Sequence, residues 1–554
     1  VSFRKALISA ILASCFACGA DVRAQVADIA ITNANVITLL TDTPRARAVA
    51  IKGERIIGVY ADAVPDALLA PSTRRIDAGG RTIVPGLIDS HIHAIRAGLT
   101  FSNEATFDGA RSISEAMDRI RAAAMRAPGN EWIIVAGGWT PQQFSEGRRP
   151  TLEEIESAAP GRRVYVQLFY RAVLVSEAGR AALGLDPDNP PPGIGYEGAE
   201  TGAASGWLTG GVDAVAALFE RLPKPGLETA KAGTRAFFST LNAYGVTGVI
   251  DPGGHNLAPS EYQALFALAR GGELTLRVNY FVSAPQRGSE LDYFRAYVAN
   301  RAVGAGDAYL RFLGVGERVT FSMYNNDAPN AADLEAFDEV ARWAMASRVP
   351  MTVHWNSERS AHYLLDAFAR VGNAQERAQL RWSVAHLHDA SPETMAALHR
   401  LGLGWLTQNA IYFAAPAFIR SMSAARRAAA PPIGSALRAG LKVAAGTDAT
   451  RVMSYNPFVA MQWMLDGRTV DGQETRTDAE RPSREDALRM WTQGGAWFAF
   501  AENERGRIAP GMLADIAMLD ADYMSVPLER IGAIRSALTM VGGRVVHASP
   551  EFSR

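Results

Sequence analysis

The stretch Thr82-Ile83-Val84-Pro85-Gly86-Leu87-Ile88-Asp89-Ser90-His91-Ile92-His93 begins as an apolar strand and ends in polar residues. Spacing of i, i+2 on an extended segment puts His91 and His93 on one face. Two imidazoles side by side can bind one divalent ion. Alone, the pair is a weak signal, because chance and surface His-x-His pairs are common. What gives the stretch its weight is recurrence. Seven more apolar runs end in polar residues: Gly245–Asp251, Leu274–Phe281, Leu310–Glu317, Val349–Trp355, Trp382–Leu387, Gly402–Gln408 and Leu441–Asp448. Helical patterns separate them, and that alternation predicts βαβ units with a parallel sheet. Eight such units predict an α/β fold, a (β/α)8 TIM-like barrel spanning 82–504.

Working outward, about 150 residues separate the first run from the second, far more than a loop holds. An inserted lobe over about 105–230 is therefore expected, with strands at Trp132–Ala136 and Val164–Leu168. The two ends of the chain look alike. Ile29–Ile37, Ala48–Ile51 and Arg55–Val59 are strand-like, as are Asp515–Leu519, Ala537–Val541 and Arg544–Val546. Residues 25–81 and 505–554 thus read as two parts of one composite β-sandwich. No repeat of 20–50 residues is found.

The first 24 residues read as a signal peptide. Arg4 and Lys5 precede an apolar stretch, Ala6–Ala17, and Val22-Arg23-Ala24 offers small residues for cleavage before Gln25. The expected location is periplasmic or secreted. Leu12-Ala13-Ser14-Cys15 also resembles a lipobox, which would make Cys15 a lipid anchor and the chain a lipoprotein. Both cysteines, Cys15 and Cys18, lie in this segment, so cleavage before Gln25 removes disulfides and thiolate chemistry together. No apolar run reaches the roughly 18–20 residues of a membrane span. The formal charge of −1 gives no basic footprint for nucleic acid. A small molecule is the expected partner; nothing here sets the oligomeric state.

Four of the nine histidines fall at or just past the predicted strand ends: His91, His93, His354 and His386. Glu317 ends the fourth run and Asp448 the eighth. Each has an ordinary reading alone: a salt bridge, a satisfied core histidine, a capping turn residue. Six N and O ligands converging on the C-terminal mouth of one barrel, where active sites of this fold lie, instead favour a metal site.

This constellation resembles the amidohydrolase superfamily, and within it the N-substituted formamide deformylase-like (amidohydrolase 3) branch. Pro85–His93 matches the family's opening motif. Gly506-Arg507-Ile508-Ala509-Pro510-Gly511-Met512-Leu513-Ala514-Asp515-Ile516 matches its closing segment, and Gly446-Thr447-Asp448 also fits. The resemblance implies a barrel, a composite β-sandwich, and one or two divalent metals, usually zinc. Many relatives place a carboxylated lysine at the fourth strand. The five lysines here are Lys5, Lys52, Lys224, Lys231 and Lys442, and none ends a barrel strand. Glu317 is the acid at the right strand end, and a carboxylate can bridge two cations. The family's Asp-Gly segment is replaced by Ser322-Met323-Tyr324-Asn325. Its Asp-Gly-His segment in the insert is replaced by Phe169-Tyr170-Arg171, which implies an altered substrate pocket.

The expected activity is hydrolysis of a non-peptide, amide-type C–N bond, with Asp448 as general base for a metal-activated water. Deamination or cyclic-amide opening would use the same site. A metal-bound barrel that binds a ligand without turnover is the reading from another class. Four further residues are candidate substrate contacts: Trp139 (or a packing tryptophan), Arg171 (or a surface ion pair), His388 (or a solvated loop residue) and Gln408. His255 lies near the expected mouth without an assigned role. His362, His399 and His547 are expected away from it.

Overall fold

A computed structural model describes residues 26–553 except 128, 199–204, 255–256 and 325. The expected signal peptide, Cys15, Cys18 and His255 lie outside the described residues. Eight parallel strands follow one another in chain order. They are β1 (Leu87–Asp89), β2 (Val246–Asp251), β3 (Arg277–Val282), β4 (Leu310–Val315), β5 (Thr352–Trp355), β6 (Ser383–His386), β7 (Gly404–Thr407) and β8 (Lys442–Ala445). β1 to β4 pair in sequence, as do β5 to β8. A parallel bridge, Val315 to Met351, joins the two sets. The Ser90 amide donates to the Ala445 carbonyl at 3.0 Å and closes the ring.

The strands read as near-continuous apolar runs because both faces are covered. Alternate residues go to different cores. Ile250, Leu313, Ala385, Leu406 and Ala444 fill the interior with Phe498 and Ala501. Val249, Val384 and Trp405 face the surrounding helices. Active-site residues must therefore come from the strand ends, beyond this plug.

The run Thr82–Asp89 departs from its expectation as a single strand. It breaks at Gly86: Thr82–Pro85 pairs with Asn35–Ile37 and Ile516–Leu519, and only Leu87–Asp89 enters the barrel. A Cβ on Gly86 would lie 2.2 Å from the Thr247 hydroxyl, so the crossing needs glycine. The unit built from both termini therefore reaches Pro85 rather than residue 81. It has two sheets. One contains Ile29–Thr32, Ala48–Lys52, Arg55–Tyr60 and Arg74–Asp77. The other joins Asn35–Ile37, Arg45–Ala46 and Thr82–Pro85 to Ile516–Leu519, Ser536–Val541 and Arg544–Ala548. Ile31, Val49, Val36, Ile83, Met518 and Met540 share a core between them. The expected single strand Ile29–Ile37 is thus two, separated at Asn33, whose φ is 51°.

Between β1 and β2 lies a five-stranded sheet, in the order Ile194–Tyr196, Trp207–Gly210, Ala172–Val175, Val164–Leu168, Ile133–Val135. It has a core on each face. It docks on the segment after β8 through Gly137, where φ is 134° and a Cβ would sit 1.9 Å from the Arg451 carbonyl. Among the described residues no helix is long and apolar enough to cross a membrane.

Arg277 on β3 ties the barrel to the terminal sheets. Its Nε and Nη2 donate to the two Asp515 oxygens at 2.7 and 3.0 Å, with both side chains almost fully buried. Removing one partner strands a buried charge, which costs about 3–5 kcal/mol. Arg277→Met should therefore lower stability by about that amount in urea unfolding followed by tryptophan fluorescence. An unchanged midpoint would show that the pair does not hold the two units together.

Candidate metal centre

The barrel mouth gathers the six expected ligands. His91 and His93 follow β1, His354 lies in β5, and His386 ends β6. Glu317 stands two residues past β4 and Asp448 three past β8. Backbone bonds lock these segments together. The His354 amide donates to the Glu317 carbonyl at 3.1 Å, and the Asp448 amide to the His91 carbonyl at 2.7 Å. Asp89 fastens the ends of β1 and β8, accepting from the Thr447 hydroxyl at 2.6 Å and from the amides of Thr447 and His91. Burial pushes the Asp89 carboxyl up to about 7, against the lowering effect of the Thr447 bonds. His386 and Asp448 both have φ in the left-handed region, 73° and 59°. Such backbone strain gathers where a side chain must be re-aimed for function.

Glu317 sits between two groups of imidazoles. Its Oε1 is 3.4 Å from His93 Nε2. Its Oε2 is 3.1 Å from His354 Nδ1, 3.2 Å from His386 Nε2 and 3.4 Å from His91 Nε2. Asp448 Oδ1 lies 3.2 Å from His93 Nε2 and 3.6 Å from His91 Nε2. Three overlapping ligand triads result, each with its donor atoms within 4.8 Å of one another: His91–His93–Glu317, His91–His386–Asp448 and Glu317–His354–His386. Among the described residues, neither ring nitrogen of His91, nor Nδ1 of His386, has a hydrogen-bond partner, although both rings are buried. Buried polar groups are nearly always hydrogen-bonded. Donor atoms left over in a ring of imidazole and carboxylate fit a divalent cation.

The crowding of acids and imidazoles shifts their charges. Burial lowers His386 to about 4, with His354 adding to the effect, so this ring is neutral. Burial alone would raise Asp448, but His91 and His93 hold it well below the usual carboxylate range. Burial also opposes a charge on His91, yet the adjacent Asp448 and Glu317 carboxylates lift it to about 10.

A family profile described as the amidohydrolase family matches residues 74–547. The chain belongs to the amidohydrolase family. As a member it is a metal-dependent hydrolase of carbon–nitrogen bonds. Similar proteins include LONG AFTER FAR-RED 3 of Arabidopsis thaliana, 24% identical over 94% of this chain and 92% of that one. N-substituted formamide deformylase of Arthrobacter pascens is 23% identical over 94% of this chain and 98% of that one. A crystal structure of an uncharacterized metal-dependent hydrolase from Pyrococcus horikoshii shares the TIM-barrel-like fold. It has a TM-score of 0.65 at 16% identity and covers 90% of this chain and 99% of that one.

Above the ligands this amidohydrolase has a cavity of about 580 Å3, walled by β-strand ends and by the inserted lobe. Arg171 and His388 both line it. His388 is buried, and burial, followed by the neighbouring His386, holds it well below the usual imidazole range. Its ring centre is 5.4 Å from that of His386.

Two expected substrate contacts are corrected. Trp139 is fully buried in the lobe's own core, stacked on Phe144 and beside Phe107 and Trp207. Its indole N–H donates to the Gln167 carbonyl at 2.7 Å, so it packs the lobe and does not face the cavity. Gln408 folds back against its own sheet. Its Oε1 accepts from the His386 amide at 3.0 Å and its Nε2 donates to the Leu406 carbonyl at 2.8 Å. It positions a ligand strand instead of touching substrate.

Several wall residues were not among the sequence candidates, three of them next to His354 or His93. Tyr324 lies with its ring centre 4.4 Å from that of His354. Asn356 Nδ2 is 3.1 Å from His354 Nε2. Arg96 is on the helix Ala94–Thr100, directly after His93. Only Arg96 carried a readable signal, its i+3 spacing from His93 on a helix. His362 and His399 are exposed on outer helices, and His547 Nε2 lies 3.0 Å from the Ser536 carbonyl in the terminal sheets.

Proposed function

We propose that this amidohydrolase cleaves a non-peptide amide with water, using Asp448 as the proton acceptor. The observation that carries the reading is the position of Glu317, with one oxygen toward His93 and the other toward His354 and His386. In this reading Glu317, the four histidines and Asp448 would together hold one or two zinc ions. Zinc suits a set rich in neutral imidazole. A bound cation supplies two things: it lowers the pKa of water from about 16 toward 7, and it polarises a carbonyl.

The chain's own groups do the rest. Asp448, held ionised beside His91 and His93, takes a proton from the attacking water. The water oxygen bonds to the carbonyl carbon, the C–N bond breaks, and Asp448 returns the proton to the departing nitrogen. His388 and Arg171, on the cavity wall, orient the substrate. The terminal sheets, which run to Pro85 and resume after about residue 505, and the lobe (about 105–230) are supporting domains of the barrel that begins at Leu87. The reading includes an exported chain, cleaved before Gln25 or lipidated at Cys15.

The test is a panel of N-formyl, N-acyl, cyclic-imide and carbamate compounds given to the purified chain. Hydrolysis of an N-formyl or N-acyl compound is expected. It should be lost after chelation and restored by added zinc. Binding of these compounds without product, with zinc present, would overturn the reading.

A further inference from the structure

The segment that carries Asp448 is held from two sides. The barrel holds its start. Asp89 accepts the Thr447 hydroxyl, the Asp448 amide donates to the His91 carbonyl at 2.7 Å, and the His93 amide donates to the Ala449 carbonyl at 3.1 Å. From Thr450 the segment meets the inserted lobe. Gly137 and Gly138 lie among its carbonyls. A Cβ on Gly137 would sit 1.9 Å from the Arg451 oxygen, and one on Gly138 would sit 2.7 Å from that of Thr450 and 2.9 Å from that of Met453. The Gly138 amide donates to the Arg451 carbonyl at 3.2 Å. The Arg451 side chain completes the grip. It is buried, its guanidinium carbon lies 3.9 Å from the Phe219 ring centre, and Tyr170 is beside it. Phe219 and Tyr170 both belong to the lobe.

The lobe is fixed on its own side of this contact. Ala136 is buried in one of its cores and Trp139 in the other, so the two glycines between them are anchored at both ends. Their backbone also excludes other residues: φ is 134° at Gly137 and 71° at Gly138. The residues that follow, Pro141 and Gln142, wall the cavity together with Tyr170 and Arg171. One unit therefore shapes the cavity and touches the segment that brings Asp448 Oδ1 to 3.2 Å from His93 Nε2.

We infer that the inserted lobe positions Asp448: Gly137 and Gly138 clamp the backbone at 450–453, and Arg451 is the positioning residue that anchors this segment to the lobe. The inference rests on the reading of Asp448 as the proton acceptor. A misplacement of about 1 Å at a reacting group can cost roughly 100-fold in rate, even when the change is made far from the chemistry. Moving 450–453 pulls on Asp448 through two peptide units. Glu317, His354 and His386 come from other strands and stay in place.

The experiment is a double-mutant cycle on the full chain, using Asp448→Asn and the N-acyl compound hydrolysed in the panel above. Gly137→Ala should lower kcat by about 10–100-fold, with bound zinc near the wild-type amount. Arg451→Met removes the anchor without forcing two backbones apart, and should act in the same direction. Combined with Asp448→Asn, neither change should slow the reaction further, because a proton acceptor already removed cannot be misplaced. A general loss of structure would instead multiply with the loss from Asp448→Asn, and that result would overturn the inference. A crystal structure of Arg451→Met gives a readout that needs no turnover. The spacing between Asp448 Oδ1 and His93 Nε2 should be longer than in crystals of the unaltered enzyme; an unchanged spacing would overturn the inference whether or not any compound is hydrolysed. A wild-type rate in Asp448→Asn, with the spacing lengthened in Arg451→Met, would overturn the proton-acceptor reading and leave the lobe as the element that places Asp448.

Discussion

Asp448→Asn should lower kcat by about 100- to 10,000-fold while the protein keeps its fold and much of its metal. That range is what a positioned general acid–base group contributes. The variant is close to isosteric, and Asn tolerates the left-handed backbone that Asp448 adopts at φ 59°. Its amide would still donate to the His91 carbonyl, which holds the loop after β8 against the loop after β1. What changes is the oxygen next to His93 and His91, which no longer carries a charge or accepts a proton. Steady-state kinetics and elemental analysis on the same preparation separate the two effects. Turnover at the wild-type rate would mean that Asp448 is not the proton acceptor.

Glu317→Gln should be more severe, because it removes the carboxylate that faces both groups of histidines. The amide keeps the shape but puts an N–H2 toward either His93 or the His354–His386 pair. An N–H2 cannot ligate a cation, and the site loses one of its two negative charges. Loss of an outer partner of a metal ligand costs about 10–100-fold in affinity. Loss of Glu317 itself should exceed that, with turnover falling by at least about 1,000-fold and zinc retained at under one tenth of the wild-type amount. The fold should survive, since the β4 end stays fixed by the His354 amide on the Glu317 carbonyl. Full zinc content in Glu317→Gln would remove Glu317 from the ligand set.

Much of this was legible from the residues alone, for a physical reason. Strands buried on both faces must be apolar throughout, so eight such runs stand out, and ligands must lie where the runs turn polar. The same continuity hid the break at Gly86, since Thr82–Pro85 and Leu87–Asp89 are equally buried in two different sheets. Position at a strand end also does not settle where a side chain goes. Gln408 directly follows a strand and Asp448 lies three residues past one, but Gln408 turns back onto the His386 amide. Trp139 follows two glycines near the mouth, yet its indole is consumed by the lobe's own core. Tyr324 and Asn356 carry no periodic signal at all and come to the site only through the fold of the loops that bear them.

The central claim is that residues from five barrel strands hold cations around Glu317. Anomalous diffraction at the zinc edge, from crystals of active enzyme grown without added chelator, tests it most directly. The expected result is a peak beside Glu317 within coordination distance of His93 or of the His354–His386 pair. Crystals of fully active enzyme with no transition-metal peak there would contradict it.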